Sequence, residues 1–191
     1  ESDAKVLMMV LFGDDMVRAL NLAYEMGLTE KMQIVVPNLT LGMVRQVGPT
    51  IMEGVVGAAP WVWNLPYENN YQRGKDFVEA FSDRYEMRPS SSAASAYSIV
   101  YQYKDAVERA GSTNTDAVNR ALEGHRYSFL KDEQYWREFD HQNVQTVYVV
   151  RIKPRETVVA DQFSSDYFEI IDFLPGDEAA QTREEWEQRR K

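Results

Sequence analysis

Asp140 and His141 form the best candidate catalytic pair in the sequence, ahead of Asp14 and Asp15, and His141 is one of 2 histidines in the chain. General acid–base catalysis needs a histidine that is oriented by a carboxylate and lies within hydrogen-bond reach of a nucleophile. The apolar stretch that follows predicts a strand, and adjacent residues at a strand entrance point to opposite faces. No G-x-S-x-G motif offers a nucleophile. The pattern therefore favours a turn or hinge in which both residues bond backbone groups, and we predict no catalytic residue.

The spacing of the potential ligands gives little support to a metal site. His125 and His141 form neither an H-E-x-x-H nor an H-x-x-H pattern, and the chain contains no cysteine. A metal site made of the carboxylates of Asp14 and Asp15 is conceivable. Response-regulator receivers also place acidic pairs at strand ends, but the later Asp and the Lys that receivers carry at other strand ends are not apparent in this sequence. Capping of the next helix is the favoured role of one of these aspartates. We therefore predict no metal.

Aromatic residues are the remaining candidates for contact with a small molecule. Trp61 and Trp63 lie in a proline-rich, non-helical stretch, where a place in the core and a position facing a cleft are both open. Core packing is the default for Trp136 and for the tyrosines. The turns FGDD and GPTIMEGVVG match neither the G-x-G-x-x-G fingerprint nor a P-loop, so we predict no cofactor.

The composition narrows the class of protein. The 191 residues suffice for one domain or two small lobes, and 44% of them are apolar, as in a globular chain with a core. The net charge of -9 gives a field that repels phosphate backbones, so we expect no nucleic-acid partner. No apolar run reaches the length of a membrane span. The lack of cysteine excludes disulfides and thiol catalysis.

The apolar pattern predicts an α/β fold. Val6–Leu11 is unbroken apolar, which is typical of a strand buried on both faces. A helical pattern closed by Gly27 follows, and then strands at 32–37 and 54–60, so the order predicts parallel strands with right-handed crossovers. Because such a strand needs neighbours at both edges, we interpret the chain as a fragment that lacks its N-terminal part.

Residues 71–124 are predicted to be nearly all helical. The second of three helices is capped by serine and closed by Gly111, and the third is capped by Thr113 or Thr115. No strand lies among these helices to provide a sheet for them, which also indicates a missing part. Further strands are predicted at 143–152, 157–162 and 166–173.

The order and spacing of these segments resemble the C-terminal half of a periplasmic substrate-binding protein of ABC transporters, of the branched-chain amino acid and amide-binding group. The resemblance covers most of residues 4–152. It is carried by the stretches KVLMMVLFGDDMVRALNLAYEMGL, QIVVPNLT, MEGVVGAAPWVW, GKDFVEAFSDRYEMRPSSSAASAY, DAVERAGSTNTDAVNRALEG and WREFDHQNVQTVYVV. It implies the type I periplasmic binding fold, in which two lobes with parallel sheets and flanking helices close over a ligand. Here that two-lobe fold would be incomplete.

The resemblance also implies a division of the chain. The C-terminal lobe would take residues 1–57 and 143–175, the helical part of the N-terminal lobe 67–124, the inter-lobe crossings 58–66 and 125–142, and a charged C-terminal tail 176–191. In this arrangement Asp140, His141 and Gln142 become hinge residues, whose hydrogen bonds hold a crossing beside the cleft.

The ligand site follows from the same resemblance, because ligands bind beyond the carboxyl ends of strands in open α/β sheets. In amino-acid-binding relatives the turn matching Phe12 and Gly13 supplies an aromatic contact, and the position matching Asn38 supplies a carboxylate for the ligand's ammonium group. An amide cannot neutralise an ammonium ion, so an amide, a carboxylate or an aromatic ligand is favoured unless Asp14 or Asp15 takes over the charge. The candidate ligand-binding residues are Phe12, Gly13, Asp14, Asn38, Trp61 and Trp63.

The resemblance favours an extracytoplasmic solute-binding protein that captures a small molecule for an ABC importer and has no enzymatic activity. The alternative is a ligand-sensing domain of a receptor or regulator with the same fold. The expected partners are the small-molecule ligand and the ABC transporter permease. Exposed apolar helix surface between residues 71 and 110 is also expected to promote self-association of the fragment.

Overall fold

The computed structural model describes residues 3–190, so residues 1, 2 and 191 of the predicted lobe and tail lie outside the described part. The strands are β1 (Val6–Met8), β2 (Gln33–Val36), β3 (Val56–Ala59), β4 (Arg126–Tyr127), β5 (Gln134–Trp136), β6 (Asn143–Val144), β7 (Val147–Ile152) and β8 (Phe168–Leu174). The helices are α1 (Gly13–Glu25), α2 (Leu28–Lys31), α3 (Leu41–Val47), α4 (Pro49–Met52), α5 (Leu65–Glu68), α6 (Gln72–Tyr85), α7 (Ser91–Ala110), α8 (Thr115–Leu122), α9 (Arg155–Ala160), α10 (Gly176–Ala179) and α11 (Arg183–Gln188).

Five strands form the main sheet in the order β1-β2-β3-β7-β8. The first three are parallel, whereas β7 pairs antiparallel with both β3 and β8. The predicted α/β class is therefore confirmed, and the predicted parallel sheet is correct only for β1 to β3. The chain leaves the sheet after Ala59 and returns beside it, where Tyr148 pairs with Ala59, so β7 has to run in the opposite direction.

The first strand lies at an edge of this sheet, and the prediction that Val6–Leu11 is buried on both faces is wrong. Only Val6–Met8 forms a strand, with β2 as its neighbour, and Val6 and Met8 remain 52% and 60% exposed. Met9, one position further along, is buried in the core. An unbroken apolar run shows that the side chains on both faces of a strand are apolar. It does not show that other elements among residues 3–190 pack against both of these faces.

The core lies on the face of the sheet opposite to the exposed side chains of Val6 and Met8. Ile34, Val36 and Val150 point into it, and Met16 and Leu20 of α1 are fully buried in the same cluster. The strands pack so closely that β3 needs a glycine there. A Cβ atom on Gly57 would collide with the backbone oxygen of Val36 and the side chain of Leu39.

Helix α1 begins without the predicted aspartate cap. Its N-cap residue is Phe12, whose side chain makes no capping bond, and Asp14 and Asp15 lie in the first helical turn. There their charges still interact favourably with the positive end of the helix dipole. The predicted end is confirmed, because Gly27 follows the helix with a φ of 67°.

The predicted ends of α7 are confirmed, whereas the predicted threonine cap of α8 is wrong. Ser90 caps α7 by accepting a bond from the backbone of Ala93, and Gly111 closes it in the left-handed conformation. Asn114, and not the threonine on either side of it, caps α8, since asparagine caps as well as threonine does. Within residues 3–190, no helix combines the length and the apolar character that a bilayer crossing requires.

The chain between the helical region and β7 forms a small antiparallel sheet of β4, β5 and β6.

The strand predicted at 157–162 is wrong, since this stretch belongs to α9 and the loop after it. Pro154 starts the helix, and Val158 is its one fully buried residue. The β-branched run Thr157–Val159 suggested a strand. However, β propensity depends on packing against a neighbouring strand, and no strand of residues 3–190 pairs with this run.

Candidate functional site

Candidate ligand-binding residues follow the carboxyl ends of the adjacent strands β1 and β2. Phe12 is 60% exposed, and Asp14 and Asn38 are also exposed. Gly13 has a φ of 58°, which favours glycine and lets the chain turn from Phe12 directly into α1. The Asp14 carboxylate accepts a bond of 3.3 Å from the amide of Gln46, which ties α1 to α3. The arrangement presents an aromatic ring, an amide and a carboxylate at one edge of the sheet.

The two tryptophans after β3 occupy different surroundings from these exposed residues. Trp61 is 4% exposed and packs edge-on against Phe77, with ring centroids 5.9 Å apart. Trp63 is half-buried, and the guanidinium of Arg88 lies 4.2 Å from its ring centroid. The indole nitrogens of both are buried without a hydrogen-bond partner among the described residues. The structure thus gives Trp61 a core position.

Asp140, His141 and Gln142 lie in the turn between β5 and β6, where the backbone N–H of Gln142 donates to the Asp140 carboxylate at 3.2 Å. The guanidinium of Arg137 donates to both oxygens of Asp140 and to the side-chain oxygen of Gln142. The bonds from Arg137 hold the pKa of Asp140 below its usual range. The ring of His141 lies 2.9 Å from the carboxylate of Glu123 instead. The Asp–His bond of a catalytic triad is therefore not formed by this pair.

A buried cluster around Lys131 was missed by sequence reasoning. Lys131 is 3% exposed, and its ammonium group donates to the backbone oxygens of Pro60, at 2.8 Å, and Thr146, at 2.7 Å. The carboxylate of Asp132 accepts bonds from the hydroxyls of Thr146 and Tyr148. The cluster thereby joins the segment after β3 to the start of β7. No sequence signal marks it, because a Lys-Asp pair in a polar stretch is normally solvated.

Burial decides the protonation behaviour of this cluster. It lowers the pKa of Lys131 to about 8, while the nearby Asp132 acts in the opposite direction. Burial also raises the pKa of Tyr148, and Asp132 adds to that shift. The ammonium group is therefore charged at neutral pH, but less firmly so than an exposed lysine.

A second, largely buried ion pair links the loop after α6 to the loop after α9. The Arg88 guanidinium donates to the carboxylate of Asp161 at 3.1 Å and lies between the rings of Trp63 and Phe163. Backbone N–H groups of Phe163 and Ser165 donate to the same carboxylate. Burial opposes ionisation of Asp161, but these bonds together hold its pKa below the usual range. The pair fixes the end of α6 against the sheet-bearing part of the chain.

The family of the chain is decided by a match over most of its length. The family model described as "Periplasmic binding protein" matches residues 1–157. The chain belongs to the periplasmic binding protein family. Its mixed sheet with flanking helices is that of the type I periplasmic binding fold, as the resemblance predicted. No curated protein sequence matches the chain significantly.

Solved structures resemble this fold over nearly the whole chain. A periplasmic binding protein from Burkholderia mallei is 26% identical, with a TM-score of 0.82 over 95% of this chain and 46% of that one. A branched-chain amino acid ABC transporter periplasmic ligand-binding protein from Burkholderia xenovorans is 22% identical, with a TM-score of 0.77 over 92% and 45%. A solute-binding protein of an ABC transporter from Rhodopseudomonas palustris, solved with 3,4-dihydroxybenzoic acid, is 16% identical, with a TM-score of 0.68 over 90% and 45%. The chain therefore spans less than half the length of these relatives.

Proposed function

We propose that the chain is part of an extracytoplasmic solute-binding protein that captures a small molecule for an ABC importer. The observation that carries this proposal is the exposed group of Phe12, Asp14 and Asn38 beyond the carboxyl ends of two adjacent parallel strands. Ligands bind at this end of the strands in open α/β sheets. Membership of the periplasmic binding protein family supports the same role.

Lobe closure is part of the proposal, with residues 58–66 and 125–142 as two of the crossings. Lys131 lies in the second crossing and supports this division, because its ammonium group bonds Pro60 in the first crossing and Thr146 in the C-terminal lobe. Hinges are a few loop or element-terminal residues that absorb the change in backbone angles when lobes move. Asp140 and Gln142 lie in such a loop, where their side chains hold Arg137, the residue that follows β5.

The ligand is proposed to carry an aromatic or amide group and no essential ammonium group. Phe12 offers its ring for stacking, and Asn38 offers an amide, which donates and accepts hydrogen bonds but carries no charge. A relative solved with an aromatic acid shows that the fold can accept such a molecule. Asp14 remains the one carboxylate of the candidate group that could meet a cation.

The proposal is tested by a thermal-shift screen of the chain, and of any longer protein of which it is a part, against amino acids, amides and aromatic acids. A true ligand raises the melting temperature by mass action. The screen is repeated with Asn38→Asp, which restores a carboxylate, and with Asn119→Asp, an exposed position on α8, as the matched control. Asn38→Asp is expected to improve binding of amino acids roughly tenfold, since it adds one charge-assisted hydrogen bond. If no ligand stabilises any form, or if Asn119→Asp has the same effect, the proposed site is wrong.

Self-association is proposed for the chain when it is alone. Ile99, Val100 and Tyr103 of α7 are 54%, 65% and 53% exposed, and Val6 and Met8 of β1 add further apolar surface. Exposed apolar surface of this kind favours pairing, either with another copy or with further parts of the same fold. Light scattering that gives the mass of a monomer at high concentration would contradict this proposal.

A further inference from the structure

A cavity of about 140 Å³ lies beside the buried Lys131, away from the strand-end residues Phe12, Asp14 and Asn38. It opens to the solvent on one side and is lined by α7, by the segment after β3 and by the small sheet. Trp61, Ile99 and Leu130 form apolar parts of its wall. Since about 10–15 Å³ of such space suffices to hold one water molecule, the cavity has room for a small organic molecule.

The polar wall of this cavity includes two side chains with unused hydrogen-bond donors, Lys131 and Gln134. Lys131 uses two of its three N–H groups on the oxygens of Pro60 and Thr146, which leaves one N–H. Gln134 is 6% exposed, and its side-chain oxygen accepts from the hydroxyl of Tyr127 at 3.2 Å. The amide NH₂ of Gln134 has no hydrogen-bond partner among residues 3–190.

A relay of hydrogen bonds fixes the orientation of that amide. The amide of Asn143 donates to the Tyr127 hydroxyl at 2.9 Å, so the single hydroxyl proton is free to go to Gln134. The oxygen of Gln134 must therefore face Tyr127, and its NH₂ group is left for the cavity.

The charge inside the cavity is positive although the chain as a whole carries -9. Among the lining residues, Lys131 is the one that carries a formal charge. Asp132 is the carboxylate that faces the ammonium, at 3.9 Å, and it is engaged by the hydroxyls of Thr146 and Tyr148. One positive charge and one amide donor suit a planar monoanion, whereas a dianion such as phosphate would need more donors.

We propose that this cavity binds a small monocarboxylate of about five non-hydrogen atoms, with its oxygens on Lys131 and Gln134 and its apolar end toward Trp61. This site is separate from the ligand site of the proposed function. Because Lys131 also bonds Pro60 and Thr146, the bound carboxylate would contact the group that joins the two proposed crossings.

The test uses propionate and its neutral analogue propionamide, with the four tryptophan indole N–H signals of the ¹⁵N-labelled chain as reporters. Trp61 and Trp136 line the cavity, whereas Trp63 and Trp186 do not. Propionate is expected to shift the signals of the first two in a saturable manner and to leave the other two unchanged. Propionamide is expected to bind roughly tenfold more weakly, the loss that corresponds to one charge-assisted hydrogen bond.

Variants separate this site from the alternatives. Ser98→Leu fills the cavity from the half-buried face of α7 and should abolish the response while Lys131 stays in place. Lys131→Met should weaken propionate binding roughly tenfold or more, whereas the exposed Lys104→Met should not change it. Equal binding of propionate and propionamide, an unchanged response in Ser98→Leu, or no response in the wild-type chain would each overturn the proposal. None of these outcomes depends on the ligand of the strand-end site.

The pH dependence gives an independent readout. Above about pH 8 the free chain holds Lys131 neutral, so a carboxylate can bind only with uptake of a proton, and its affinity should fall as the pH rises. The other titratable groups beside the ammonium do not mimic this loss, because burial raises the pKa of Tyr127 to about 12 and also raises that of Tyr148. Asp132 is the remaining titratable group beside the ammonium, and its carboxylate lies 3.9 Å from the Lys131 nitrogen. Propionate affinity that is constant from pH 7 to pH 10 would argue against Lys131 as the binding group.

Discussion

The buried ammonium of Lys131 should make the stability of the chain rise with pH in the alkaline range. Burial lowers the pKa of Lys131 to about 8 in the folded chain, against an ordinary value of 10.5 in the unfolded chain. Below pH 8 both states carry the proton, and the folded state bears the full cost of burying the charge. Between pH 8 and 10.5 the folded chain releases the proton while the unfolded chain keeps it, so unfolding becomes less favourable.

The magnitude follows from the difference between the two pKa values. Each pKa unit corresponds to about 1.4 kcal/mol, so the free energy of unfolding should rise by about 2 to 3 kcal/mol between pH 7 and pH 10 from this group alone. Lys131→Met lacks the titrating group and should not show this part of the rise. Lys104→Met removes an exposed lysine and should keep it.

The assay is urea unfolding at pH 7 and pH 10 in a buffer free of carboxylates, followed by tryptophan fluorescence. The quantity of interest is the difference in unfolding free energy between the wild type and each variant, because titrations elsewhere cancel in it. A direct check on the wild type is the ¹³Cε signal of Lys131, which should titrate near pH 8. The same pH dependence in the wild type and in Lys131→Met, or a midpoint near 10.5, would refute the reasoning.

Further predictions concern packing, the second ion pair and association. Gly57→Ala should destabilise the chain by about 1 to 3 kcal/mol in chemical denaturation because its Cβ meets backbone, whereas Gly42→Ala in the open space of α3 should be neutral or stabilising; equal effects would contradict the packing argument. Arg88→Met should lower the free energy of unfolding by about 3 kcal/mol, because it leaves the Asp161 carboxylate without its cation. Arg88→Met combined with Asp161→Asn should lower it by less than the sum of the two single changes, and additive losses would mean that the pair is not coupled. Val100→Glu should reduce self-association in sedimentation experiments without loss of helical content, and an unchanged mass would exclude α7 from the contact.

Local patterns were enough to predict most of the elements, whereas the strand-end group was implied by the resemblance. The capping serine and the closing glycine of α7 lie next to the turns that they stabilise, so the sequence alone located both ends of this helix. The order of strands and helices in the first third predicted parallel strands, and therefore that Phe12 and Asn38 follow the same edge of the sheet. These inferences held because each depends on residues that are close in the sequence.

The tertiary structure decided the features that depend on distant partners. Lys131 became a buried cation because Pro60, 71 residues earlier, offers it a backbone oxygen. Thr157–Val159 became helical because no strand lies beside it, and β7 became antiparallel because the chain re-enters the sheet at the edge where it left. Trp61, for which a core position and a cleft-facing position were both open, lies in the core, and the run Val6–Leu11, which was expected to be buried, is largely exposed. In each case the free energy of burial or pairing comes from residues far along the chain, and local pattern carries no information about them.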